Sequence, residues 1–306
     1  MIKCIGCGIK LQDINPNEVG YTPNMDNKLC ERCFKLKNYN ILVNQGVNIN
    51  NDKLLDKINK LNVFVFFLVD FVNLDKEVID TFKKIKSEKV LVISKVDIIP
   101  KNIKYDKLIV NIKNVYEISD DIILSSSKNN FNIKKIIDLC KMKKNVVLVG
   151  FTNAGKSSLI NNMLDSDITV SRKSNTTQDF IKLKADEFVI YDAPGFMSNF
   201  NRENIPRSVI RPKVYQLPKK HYLLIGDVKL NILEDTNFTV YVSNEINILR
   251  RREKEVIDCN IIIPKNSDLI LKGMGFIKFK NTFFIIKLYS LSNYEIRSSI
   301  IGDSNE

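Results

Sequence analysis

The chain has 306 residues, enough for two domains and a small module, and its 44% hydrophobic and 27% charged residues are the balance of a folded globular protein. A formal net charge of +12, spread along the whole chain, favours a polyanionic partner without locating a face for it. The single histidine, His221, excludes catalysis by two imidazoles and a histidine-rich metal site, and no apolar run can span a bilayer, since the greasiest segment, NVFVFFLVDF, is broken at Asp70.

The first motif begins at Cys4, with no signal or transit pattern before it. A cytoplasmic location is expected, or an organelle matrix if a targeting segment is missing. Cys4-x2-Cys7 and Cys30-x2-Cys33 each bite a metal from one tight turn, and four thiolates at this spacing suit a closed, structural Zn²⁺ site. A redox CxxC pair is the alternative, but no thioredoxin-like βαβ pattern surrounds it. Lys3, Lys10, Arg32, Lys35 and Lys37 surround the ligands. They either offset the negative zinc–thiolate centre or touch RNA phosphates. Cys140 and Cys259 are expected to be packing residues.

Next comes VLVISKVDIIP, a β-branched strand running into Ser94-Lys95-Val96-Asp97, close to the [NT]KxD box that reads guanine. Asp97 can accept both the N1–H and N2–H₂ donors of guanine, and Lys95 can lay its stem on the purine plane. Ser94 departs from the usual asparagine and lacks an amide that ties the base region to the phosphate loop. Ser126-Ser127-Lys128 follows the apolar DIILS and resembles the SAK box, whose backbone N–H meets guanine O6. A helix with Ile133, Ile136, Ile137 and Cys140 on one face is predicted to follow.

NVVLVGFTNAGKSSLINNML reads as strand, loop and helix, and Gly150 to Ser157 fits GxxxxGK[ST] in full. Gly150 and Gly155 let backbone N–H groups wrap phosphates, with Asn153, Ala154 and Ser158 completing the loop. Lys156 supplies the charge at the β/γ-phosphates, Ser157 ligates Mg²⁺, and the helix start adds its dipole. Downstream, FVIYDAPGF ends a strand at Asp192, able to hold Mg²⁺ through water, and Gly195 offers an N–H to a γ-phosphate. Between them, in Ser174 to Asp179, Thr177 is the first choice for a switch threonine on Mg²⁺ and Thr176 the reserve.

Base boxes thus precede the phosphate loop, which precedes the two switches. This is the GTPase order cut and rejoined, which a doubly wound sheet tolerates because its binding loops gather at one strand edge. The predicted fold is α/β, a circularly permuted P-loop GTPase fold with a mostly parallel sheet over 46–204, a zinc module over 1–45 and a β-rich domain over 205–306. Whatever follows Gly195 is attached to a γ-phosphate sensor.

In the last third, FTVYVSN and FIKFK alternate as half-buried strands, TFFIIKL reads as buried, and IPRSVIRPKVYQLP reads as a linker entering an edge strand. Arg211, Lys213, Tyr215 and then Phe276, Lys278, Phe279, Lys280 interleave charge with aromatics. That pattern fits RNA stacking or an ordinary sheet with outward lysines. Arg250-Arg251-Arg252 is a candidate RNA contact.

The box order, with CIGCGIKLQ, VGYTP, LCERCFKLKNYN, RPKVYQL, FTVYVSNEINILR, LKGMGFIKF and YEIRSSI, resembles the YqeH-type circularly permuted GTPases. The resemblance implies a treble-clef zinc finger, a permuted G domain and an RNA-binding-like C-terminal domain. It also implies GTP and GDP as ligands, Mg²⁺ and Zn²⁺ as cofactors, and a monomer acting in assembly of the small ribosomal subunit or on its rRNA, with no membrane partner. Asn38 stands where the family commonly has histidine. Phe196 follows DxPG where a water-orienting glutamine could stand. Enzymes with a hydrophobic residue there often use K⁺ held partly by a phosphate-loop asparagine, here Asn153, so slow, K⁺-stimulated turnover is expected. An RNA-binding scaffold with negligible hydrolysis and a P-loop ATPase are the competing functions.

Overall fold

The computed structural model describes residues 2–5, 9–16, 18, 20–39, 50–164, 180–198, 206–252, 261–280, 284–289 and 294–302. Contacts divide the chain into one unit of Met1–Asp70, Asp80–Val96 and Asp120–Ser198, and a second of Phe71–Ile79, Asp97–Ser119 and Asn199–Glu306. Cys7, Cys259, Thr176 and Thr177 lie outside the described residues.

In chain order the elements up to Asp192 are α1 (Glu31–Tyr39), α2 (Asn51–Leu61), β1 (Phe64–Asp70), α3 (Lys76–Lys83), β2 (Lys89–Ser94), α4 (Tyr105–Tyr116), β3 (Asp121–Leu124), α5 (Ile133–Lys143), β4 (Asn145–Gly150), α6 (Lys156–Leu164), β5 (Ile181–Lys184) and β6 (Val189–Asp192). The first unit is built on a six-stranded sheet in the order β3-β2-β1-β4-β6-β5, parallel except for the antiparallel β5–β6 pair. Every residue of β1 is buried, which is why FVFFLVD reads as one apolar run rather than an alternation. Period-two geometry still divides it. Phe64, Phe66 and Leu68 share a core with Ile133, Ile136 and Cys140 of α5 and Leu159, Ile160 and Met163 of α6. Phe67 meets Phe82 at 5.6 Å and Phe196 at 6.1 Å. Cys140 is the packing residue expected: fully buried, its thiol is pushed up to about 12 by desolvation.

Register then decides where the loops fall. Asp70 pairs with Ser94, Ile93 with Leu124, Leu68 with Gly150 and Leu148 with Asp192. The strands are parallel, so the segments after β2, β3, β4 and β6 all leave from one edge. Chain order reverses there between β1 and β4, the kind of switch point at which open α/β sheets bind ligands.

The second unit contains α4 and a pair of five-stranded antiparallel sheets. Its strands are β7 (Lys213–Leu217), β8 (His221–Ile225), β9 (Val228–Ile232), β10 (Thr236–Val242), β11 (Ile248–Arg252), β12 (Ile261–Ile263), β13 (Ser267–Leu271), β14 (Gly275–Phe279), β15 (Phe284–Tyr289) and β16 (Tyr294–Ser298). The sheet orders are β16-β13-β14-β10-β7 and β11-β8-β9-β15-β12, and one apolar core draws on both. Buried Arg297 fastens this unit: it pairs with Asp268 at 3.2 Å and donates to the Leu74 carbonyl at 2.6 Å and the Tyr116 hydroxyl at 2.8 Å. Phe276 and Phe279 are core residues, 1% and 0% exposed, so they offer no face to a base. Of the two readings of that stretch, the ordinary sheet holds. Arg250, Arg251 and Arg252 are exposed on the edge strand β11.

Candidate nucleotide site and cysteine cluster

β4 ends at Gly150, and the loop to α6 turns back under the control of two glycines. Gly150 has φ +153°, and a Cβ there would sit 2.4 Å from the Leu68 carbonyl oxygen, so no side chain fits. Gly155, at φ +93°, needs the conformation rather than the room. Lys156 opens α6 and is only 8% exposed. Its ammonium donates to the carbonyls of Gly150 at 3.1 Å and Phe151 at 3.4 Å, which folds the side chain over the loop. Burial pushes that ammonium down to about 8, Asp192 draws it back up, and Arg32 lowers it further.

Asp192 lies at the end of β6, 3% exposed. Burial raises its carboxyl above the usual range, while Arg32 and then Lys156 hold it down. The DAPGF segment is stitched to the phosphate loop. Phe196 N–H donates to the Gly150 carbonyl at 3.0 Å, and Thr152 N–H donates to the Phe196 carbonyl at 3.2 Å. Phe196 is fully buried between Phe67 and Phe151, the latter 5.6 Å away. Its ring belongs to the core and packs on the Phe151 ring of the phosphate loop. Gly195 packs against Thr152 of that loop.

The base boxes come to the same edge. Ser94 Oγ donates to the Ala154 carbonyl at 2.6 Å, and Lys95 Nζ to the Asn153 carbonyl at 2.6 Å. The sequence predicts one tie fewer between base region and phosphate loop when serine replaces asparagine. The structure corrects this, because the short hydroxyl reaches the loop directly. Ser94→Ala should therefore weaken fluorescent-GDP binding about 3–10-fold, the value of one net hydrogen bond, without altering GDP-over-ADP preference. Lys95 adopts φ +56° and also lies 3.9 Å from buried Asp70, so a carboxylate and a loop carbonyl aim it. Asp97 stands two residues on, in the 3-10 turn Val96–Ile98; burial, and then the Asp97 carboxylate, raise the hydroxyl pKa of Tyr105.

The Ser126-Ser127-Lys128 loop follows β3. Ser125 N–H donates to the Ile93 carbonyl at 2.8 Å and Val96 N–H to the Ser125 carbonyl at 3.1 Å, which sets the two base segments side by side. Ser126 is buried and closes the loop against Phe131, while Lys128 is exposed. Asn162 of α6 donates to the Ser127 carbonyl at 2.9 Å and to the Asn130 side chain at 2.6 Å. The roles of Asn162 and Asp70 are not legible in the sequence, because each acts on a loop far away in the chain. Asn153 and Ser158 are exposed, Ser157 is buried in the first turn of α6, and Asn153 holds φ +64°.

The residues present fit a nucleoside phosphate with its divalent cation. A buried lysine, serine and carboxylate sit at the mouth of a loop of backbone donors, and Ser157 and Asp192 would hold Mg²⁺, which would neutralise phosphate charge.

In the N-terminal module the thiols of Cys4, Cys30 and Cys33 lie within 4.8 Å of one another, all buried. Cys30 N–H donates to Cys4 Sγ at 3.2 Å, the amide-to-sulfur bond that stabilises a thiolate. A cluster of three buried, mutually close thiols could hold a Zn²⁺ ion; Cys7, the fourth ligand expected from the sequence, lies outside the described residues. Purified protein is expected to carry one zinc per chain by elemental analysis, and Cys4→Ser to lose it. Lys35 pairs with Glu31 at 2.5 Å. Arg32 reaches out of the module: its guanidinium meets Asp192 at 2.5 Å.

Comparison with known proteins agrees with this geometry. The sequence profile of the RsgA GTPase family matches residues 62–201, spanning base half and phosphate half in this chain's order. The profile described as 50S ribosome-binding GTPase matches residues 145–266, starting at β4 and leaving the base half upstream. Sheet, loop order and profile define a circularly permuted P-loop GTPase with a mixed α/β sheet and a β-rich region. Within that class the chain is similar over most of its length to YqeH. It is 29% identical to YqeH of Bacillus subtilis strain 168, described as uncharacterized, over 82% of this chain and 78% of that one. The tRNA modification GTPase MnmE of Blochmanniella floridana is 32% identical over 49% of this chain and 32% of its own. GTPase Era of Buchnera aphidicola (strain Tuc7) is 31% identical over 53% of this chain and 58% of its own. No helix among the described residues is long and apolar enough to cross a membrane.

Proposed function

We propose that this GTPase works as a nucleotide switch in assembly of the small ribosomal subunit, binding that subunit or its rRNA as a cytoplasmic monomer. The observation that carries the nucleotide half is the pair of 2.6 Å bonds from Ser94 and Lys95 to the carbonyls of Ala154 and Asn153. They support one molecule gripped at its base by Asp97, Lys95 and the Ser126–Lys128 loop, and at its phosphates by Gly150 to Ser158. Thr177, with Thr176 in reserve, would join Ser157 and Asp192 on Mg²⁺, and Gly195 would offer its N–H to the γ-phosphate. With Phe196 buried in the core, no side chain at that position orients water. Asn153, exposed on the loop, would share K⁺ with the phosphates, a cation that would neutralise transition-state charge. The ribosomal half rests on the resemblance to YqeH-type proteins, the net charge of +12 and the exposed arginines of β11.

Phosphate release measured in K⁺ and in Na⁺, alone and with purified small or large subunits, tests both halves. Release stimulated by K⁺ and by small subunits is expected. Stimulation by large subunits alone would move the partner to the one named in the second profile's description. Release no higher than that of Lys156→Ala under every condition would leave an RNA-binding scaffold.

A further inference from the structure

Arg32 is the middle of an unusual connection. It sits inside the second cysteine pair, between Cys30 and Cys33, on the first turn of α1. Cys30, two residues before it, and Cys33, the next residue, are buried thiols within 4.8 Å of a third, so its backbone is held by whatever holds that cluster. Its side chain leaves the module altogether. Nη2 lies 2.5 Å from Asp192 Oδ2, and the pair is 12% and 3% exposed. The Nε atom is buried and has no hydrogen-bond partner among the described residues, so the guanidinium is held by Asp192 alone on that side. Lys156 is close enough for its ammonium to feel both Asp192 and Arg32. The arrangement is a largely buried Arg32–Asp192 ion pair beside the loop where phosphates would lie.

Asp192 therefore has two claimants. A divalent cation held through water at this carboxylate would bring two further positive charges next to a fixed guanidinium already bound to one of its oxygens. Like charges that close in a low-dielectric site oppose each other strongly. Arginine, unlike lysine, cannot escape by losing its proton.

We infer that Arg32 is a further positioning residue of the GTPase site, delivered by the cysteine module, which holds Asp192 and competes with the divalent cation for it. The cluster then sets how much Mg²⁺ is needed before nucleotide is held, and a partner that moves the module would release Asp192 to the cation. This rests on the proposed reading that Asp192 faces Mg²⁺.

The experiment is fluorescent-GDP binding at fixed nucleotide across a Mg²⁺ titration, on the full chain. Arg32→Ala should lower the Mg²⁺ concentration at half-saturation about fivefold or more, within the usual range of coupling between sites. Arg32→Lys, which keeps charge but loses the planar fork, should fall between Arg32→Ala and wild type. Cys4→Ser, which loosens the cluster while leaving Arg32 in place, should shift the requirement in the same direction. Melting temperature and zinc content are recorded for each variant, so that a lowered requirement is credited only to a folded chain. An unchanged or raised requirement in folded Arg32→Ala overturns the inference. Asp192→Asn separates the two failures. If it leaves the Mg²⁺ dependence unmoved, Asp192 does not face the cation and the site reading fails. If it moves that dependence and Arg32→Ala does not, only the role of Arg32 fails.

Discussion

Lys156→Ala is expected to lower affinity for GDP and GTP by about 10²–10³-fold, and to bring phosphate release down to the buffer rate. Lys156 is the buried cation of the phosphate loop, held over it by the carbonyls of Gly150 and Phe151. Removing the cation that meets an anionic ligand in a desolvated site costs about 2–5 kcal/mol of binding, and every ~1.4 kcal/mol is tenfold. The folded state should tolerate the change, because Asp192 keeps Arg32 as counter-ion. A melting temperature close to wild type, with nucleotide binding lost, is the predicted signature. Fluorescent-GDP titration and single-turnover phosphate release measure the loss. Undiminished affinity would mean that phosphates are bound elsewhere.

The second large effect lies at the other end of the nucleotide. Asp97→Asn should reduce GDP affinity by about 10²-fold while reversing base preference, so that xanthosine diphosphate binds better than GDP. A carboxylate accepts from both guanine donors. An amide accepts from one and turns its own N–H toward the other, leaving a donor unmet at about 1.5–3 kcal/mol for each charged hydrogen bond. Xanthine carries a carbonyl where guanine has its amino group, so the amide meets it. ADP stays weak in both proteins. The two variants separate the ends of the site: Lys156→Ala weakens all diphosphates alike, whereas Asp97→Asn re-sorts them by base. If Asp97→Asn weakened GDP and xanthosine diphosphate equally, Asp97 would not be reading the base.

Much of this site is legible because its chemistry is local. GFTNAGKS declares a phosphate loop through glycines whose φ values other residues rarely adopt, and both Gly150 and Gly155 adopt them. The base boxes are legible because each terminates an apolar strand, and those strands, β2 and β3, are buried as their sequences require. Aromatic and basic interleaving was ambiguous at Phe276 and Phe279 because period two says that residues alternate, not which face is wet. Both rings went inward, Phe276 against Tyr241 at 5.0 Å and Phe279 against Phe238 at 5.3 Å.

By itself, the sequence determined which residue types could grip phosphate, base and metal, and that their order along the chain is permuted. These follow from side-chain chemistry and short-range backbone geometry, which need no knowledge of distant neighbours. Tertiary structure alone decided that Ser94 keeps its tie to the phosphate loop, that Asn162 steadies Ser127, and that an arginine from the cysteine module ends on Asp192. Each of these contacts joins residues 35 to 160 positions apart. Parallel strand register brings the first together, and the packing of α6 and of the cysteine module brings the other two; no local pattern records it.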